Sequence, residues 1–89
     1  MLTYEQIQSI AAILGWTCAD VESSISELND GFMRPCVEEF PMPDPDAEIE
    51  DPGIYWRLSA PGHMDCTEWS GPFETIEDAV ADMLHVYAD

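Results

Sequence analysis

The sequence predicts an α+β fold: two N-terminal helices, a small antiparallel β-hairpin or sheet, and a C-terminal helix packed on it. Three observations lead there. Apolar residues recur at helical spacing towards both ends, they alternate at strand spacing within residues 54–60, and glycine- or proline-rich breaks separate these segments. The 89 residues have room for a single domain, 1–89, and one modest core. An apolar fraction of 46%, with three each of Phe, Trp and Tyr, is enough to fill that core and argues against simple acidic disorder.

The first helix opens at Thr3, a capping residue, with Gln6 three positions on completing a capping box. Ile7, Ile10, Ala11 and Leu14 then share one face, and Gly15 stands where a left-handed C-terminal cap belongs. Trp16 follows as a core anchor. A second helix is expected from about Ala19 to Asn29, capped by Thr17 with Asp20 at its third helical position. Val21, Ile25, Leu28 and Phe32 form its buried stripe, and Gly31 ends it. The short connection makes the two helices a hairpin.

Residues 33–53 change character. Pro35, Pro41, Pro43, Pro45 and Pro52 forbid a regular helix and discourage a central strand. The segment reads as an extended, exposed acidic connection, with a short edge strand near Cys36–Phe40. Ile54–Ala60 is the clearest strand, with Ile54, Trp56 and Leu58 facing one way and Tyr55, Arg57 and Ser59 the other. Pro61-Gly62-His63-Met64-Asp65 is turn chemistry, and Cys66–Ser70 is the expected second strand of a hairpin. Two strands are marginal alone, so helices or a third strand must support them. Gly71-Pro72 reads as another break. Thr75 caps the last helix, whose first turn carries Glu77 and Asp78, where the helix dipole favours anions. Ile76, Ala79, Val80, Met83, Leu84 and Tyr87 form its apolar face, and His85 lies near its C-terminal end.

The sign of the charge is the anomaly. Nineteen Asp and Glu are opposed only by Arg34 and Arg57, with no lysine, for a formal net charge of −17. Such a field repels nucleic acid and anionic membranes, and it attracts basic protein grooves, most of which bind nucleic acid. No apolar run approaches the roughly 18–20 residues that span a bilayer. The stretch Met1–Glu5 lacks the basic start and apolar region of a secretory signal. Taken as complete, the chain is expected in the cytoplasm.

Chemistry-bearing constellations are sparse. Cys18, Cys36 and Cys66 form no CxxC pair, and a zinc site joining them to His63 has almost no spacing support. Ser23, Ser24, Ser59 and Ser70 sit outside any nucleophile elbow, and there is no glycine-rich phosphate loop. Asp44, Asp46 and Glu48 match the first positions of a calcium-binding loop, but Ile49 and Tyr55 occupy the places of its glycine and closing glutamate. No enzyme activity, cofactor or metal is expected.

The acids are more informative. In an extended segment, Asp44, Asp46, Glu48 and Glu50 project from one face at about 6.5–7 Å intervals, twice the strand rise, in the manner of a phosphate strand. Glu38, Glu39 and Asp51 lengthen that tract, with Phe40 and Met42 as an apolar anchor beside it. Glu22 and Glu27 line the outer face of the second helix, and Glu77, Asp78 and Asp82 that of the third. Asp78 and Asp82 form a like-charge pair one turn apart, a small cost with no local compensation.

Short length, absent lysine, the tract Glu38–Asp51 and the α/β pattern together resemble the small acidic phage-encoded anti-CRISPR proteins that imitate DNA. The likeness is to a class, carried by size and charge and not by a motif, so no residue roles transfer. It implies an inhibitor in the host cytoplasm that binds the basic nucleic-acid-binding surface of a CRISPR effector complex and blocks target DNA. The twelve acids just named are the candidate partner-binding residues. Acidic immunity or anti-restriction proteins acting on another nuclease are the alternative, although the colicin-type all-helical bundle does not fit Ile54–Ser70. A non-mimic adaptor with a solubilising acidic surface and a salt-adapted halophilic protein are the remaining readings. Against the halophile, seven Ile, three Trp and five Met make the apolar set ordinary or rich.

Overall fold

A computed structural model describes residues 2–31, 34–60 and 67–87. The chain has an α+β fold whose elements run α1 (Tyr4–Leu14), α2 (Cys18–Asp30), β1 (Arg34–Phe40), β2 (Gly53–Ser59), β3 (Ser70–Phe73) and α3 (Ile76–Tyr87), with a 3-10 turn at Pro45–Ala47. No helix among the described residues is long and apolar enough to cross a membrane.

The helices start and stop where their caps dictate. Thr3 Oγ1 accepts from the Gln6 amide at 3.1 Å while the Gln6 side chain accepts from the Thr3 amide at 2.8 Å, so two otherwise orphaned donors are satisfied. Gly15 ends α1 at φ 72°, a left-handed conformation that glycine adopts without Cβ strain. Thr17 Oγ1 caps α2 through the Asp20 amide, and Thr75 Oγ1 caps α3 through the Asp78 amide. The stripe expected of α2 is graded: Val21 is fully buried, whereas Ile25 and Leu28 are half-buried. Phe32 lies outside the described residues.

The sheet has three antiparallel strands in the order β1-β2-β3. The connection 33–53 is therefore not one exposed span. Its first part is a full seven-residue edge strand, paired from Arg34 opposite Ser59 to Phe40 opposite Gly53. Pro35 fits there because its position opposite Leu58 turns its missing N–H away from the ladder.

The last strand is also displaced from expectation, to Ser70–Phe73 in place of Cys66–Ser70. Cys66 and the turn 61–65 lie outside the described residues. Gly71 and Pro72, read from sequence as a break, form a β-bulge. Ile54 pairs with Phe73 and Trp56 with Ser70, so these two residues stand opposite Tyr55 alone. Gly71 has φ 151°, and a Cβ there would lie 2.7 Å from the Ile54 carbonyl oxygen and 2.8 Å from the Tyr55 ring. Only glycine lets the bulge close on that ring.

Ile54, Trp56 and Leu58 of β2 enter the main core, where they meet Val21, Ala79, Val80, Met83 and Leu84 from the helices. α3 packs across the sheet, α2 lies over β1, and α1 packs on both helices through Ile10 and Ala11. At the seam, the Trp56 indole N–H donates to Asp82 at 2.9 Å. Asp82 is thus not an idle member of a repelling pair: its carboxylate satisfies a core tryptophan.

Candidate functional site

The outer face of the sheet carries a second, smaller core. Phe40, Ile49 and Tyr55 are buried together, with Ala47 and Trp69 packed against them. The rings meet edge to face, Phe40 on Tyr55 with centroids 5.6 Å apart and Phe40 on Trp69 at 5.2 Å. Tyr55 points away from the main core, as the strand alternation predicts, yet it is only 6% exposed, because the loop after β1 folds back over it.

That loop is held by its own chemistry. Asp44 and Ile49 exchange both backbone hydrogen bonds, at 2.9 and 2.8 Å. Between them Pro45 starts a 3-10 turn, and Asp44 Oδ1 accepts from the amides of Asp46 and Ala47 at 3.0 and 3.3 Å. Glu48 closes the turn at φ 60°. Tyr55 anchors the far end by donating its hydroxyl to the Asp51 carbonyl at 2.8 Å. The extended ribbon with carboxylates at regular intervals is therefore overturned: Asp44–Asp51 is a compact lid. Phe40 fails as an exposed anchor for the same reason, being 9% exposed beneath it, whereas Met42 stays 68% exposed.

The lid bends the acids round a concave basin of about 810 Å³. Glu38, Asp44, Asp46, Glu48, Glu50 and Asp51 line it, six of the twelve expected partner-binding residues. Glu68 is a seventh carboxylate there, which sequence reasoning passed over because it stood in a presumed hairpin strand. Among the described residues the one cation lining the basin is Arg57, whose guanidinium lies 4.2 Å from the centre of the Trp69 ring in a cation–π stack. Its Nε is buried without a hydrogen-bond partner among the described residues. Phe40, Tyr55 and Trp69 give the basin an aromatic floor.

The other six acids stand elsewhere. Glu39 pairs opposite Ile54, on the helix-covered face of β1. Glu22 and Glu27 are exposed on α2, and Glu77, Asp78 and Asp82 are half-buried on α3, also on that side of the sheet. They cannot share one flat interface with the basin.

Cys18 and Cys36 are free, the first half-buried at the start of α2 and the second exposed on β1, with its sulfur 3.6 Å from Ser59 Oγ. His63 and Cys66 lie outside the described residues, and among those described no three His, Cys, Asp or Glu side chains come close enough together to hold one metal ion. No family model, curated protein or solved structure matches this chain.

Proposed function

We propose that this protein is a stoichiometric inhibitor that binds the basic nucleic-acid-binding surface of another protein, a CRISPR effector complex in the form its class resemblance implies. One observation carries the reading: seven carboxylates and a single, stacked arginine converge on one concave face with an aromatic floor. A basin of that shape suits protruding arginine and lysine side chains that otherwise hold phosphates. Its carboxylates form charge-assisted hydrogen bonds to them, and Trp69 offers an apolar edge to their stems. The mimicry is of charge density and not of phosphate spacing. Inhibition follows from occupancy, since a partner whose cations are engaged here has none left for DNA.

The test is affinity capture from host lysate at low salt, followed by competition with duplex DNA. Captured protein should be released by salt and by DNA. Replacing Asp46, Glu48 and Glu50 together by their amides should weaken capture by at least ~10-fold with the fold intact. Asp44 is left alone because its side chain caps the lid. Capture by a DNA-binding complex that keeps full affinity for DNA would exclude the mechanism.

A further inference from the structure

A second surface lies on the other side of β1. Leu58 exchanges its backbone hydrogen bonds with Thr67, its N–H going to Thr67 Oγ1 at 2.9 Å and its carbonyl accepting the Thr67 amide at 2.8 Å. Its backbone groups therefore face β3, and by strand alternation those of Pro35, Val37 and Glu39, opposite Leu58, Trp56 and Ile54, face away from β2. The N–H groups of Val37 and Glu39 and the carbonyls of Pro35, Val37 and Glu39 thus form an open edge, and among the described residues β1 pairs with no other strand. Beside this edge, between β1 and the helices, runs a groove of about 640 Å³ walled by Pro35 and Val37 on one side and by Ile25, Val80 and Met83 on the other, with Glu22 at its rim.

We propose that this edge and groove bind an extended segment of a partner protein as a fourth strand, with apolar residues alternating with basic ones. Each feature selects part of that occupant. The open backbone groups need an extended chain, and the groove takes the side chains that point the same way as Val37. Side chains of the opposite parity lie beside Glu38, which is exposed; Glu22 adds negative charge at the groove, and the exposed Glu39 adds it further along β1. A second copy of this chain meets the same geometry but brings another −17 charge and sets its glutamates against these. The field selects a basic strand instead. The groove shares no lining residue with the basin, Glu38 being the one acid that borders both the edge and the basin, and the existence of this site does not depend on what the basin binds.

The experiment is amide hydrogen exchange on the full chain, with a capped octapeptide of alternating lysine and valine as probe. The Val37 and Glu39 amides should slow at least ~10-fold on binding, while those of Cys36 and Glu38, already in the ladder with β2, stay unchanged. A lysine–glycine peptide, with charge but no apolar side chains, should not produce this protection. Val37→Pro removes one outward donor and no ladder bond, and it should weaken peptide binding at least ~10-fold. If that variant does not fold, the exchange pattern of the unaltered chain decides. Three results would overturn the proposal. They are no protection at ~1 mM peptide, equal protection by the lysine–glycine peptide, and protection of Val37 and Glu39 that grows with protein concentration alone, which marks a second copy as the occupant. Amide replacement of Glu48 and Glu50 should leave the edge protection intact, so failure of the basin reading and failure of this one are told apart.

Discussion

The two faces of one three-stranded sheet are built to different ends. The inner face presents Ile54, Trp56 and Leu58 to helices that close over them, and Ile10, Val21, Ala79 and Leu84 are fully buried there. The outer face presents Tyr55 and Arg57 to a lid with one 3-10 turn and a small cluster in which Phe40, Ile49 and Tyr55 are buried. A helix layer brings its own hydrogen bonds and a wide apolar face, so it supplies most of the stabilisation. The lid brings few apolar atoms and five of the basin's seven carboxylates. It is therefore held against the charge it carries by a few specific contacts: the Asp44–Ile49 backbone pair, the Asp44 cap and the Tyr55–Asp51 bond. One side of β2 holds the molecule together, and the other displays its charge.

If that division is right, truncations on the two sides should differ. Leu84→Ala removes a fully buried side chain from the inner core, where neighbours on several elements cannot collapse into the space. It should cost about 4 kcal/mol, read as a lowered urea midpoint, and could unfold much of a domain this small. Phe40→Ala empties the middle of the outer cluster, but that cluster borders an open basin, and water can enter the space. It should cost about 2 kcal/mol, below the usual range for a buried phenylalanine, and free the lid while β2 and the helices stay native. Faster exchange of the Ile49 amide, with the helix amides unchanged, would show this. An equal cost for both truncations would break the comparison and make the lid part of one continuous core.

The inner side was far more legible in the sequence than the outer. Thr3, Gln6, Gly15, Thr17 and Thr75 act through contacts within one turn of chain, so local reading located α1, α2 and α3 closely. The alternation in Ile54–Leu58 named the inward residues of β2 for the same reason. The outer side rests on contacts that no period encodes. Proline density rules out a long helix, but a 3-10 turn needs only Asp44 to cap it and Pro45 to start it. Glycine and proline read as a stop, yet at an edge bulge they are tolerated and let β3 approach Tyr55. The acids themselves were plain from composition. Their convergence was not, because it follows from the lid's closure, and a regular phosphate-like row was the natural but wrong picture of an extended segment.

The smallest effect sharpens the comparison most. Glu48 and Glu50 are exposed neighbours on a lid that already carries Asp44, Asp46 and Asp51, and Arg57, a cation lining the basin, is stacked on Trp69. Like charges gathered there repel in the folded state more than in an expanded chain, where they move apart. Replacing Glu48 and Glu50 by glutamine should therefore raise the melting temperature slightly, by about 1–3 °C at low ionic strength. The gain should vanish near ~0.5 M salt, where the screening length is only a few ångströms. Substituting Glu22 and Glu27 on α2, where the acids are less crowded, should give a smaller gain. If the basin pair stabilises no more than the helix pair, the charge is a uniform solvating coat and the two faces differ in packing alone. If it does, the acids that would bind a partner also strain the free protein, and a basic partner that neutralises them should raise its melting temperature.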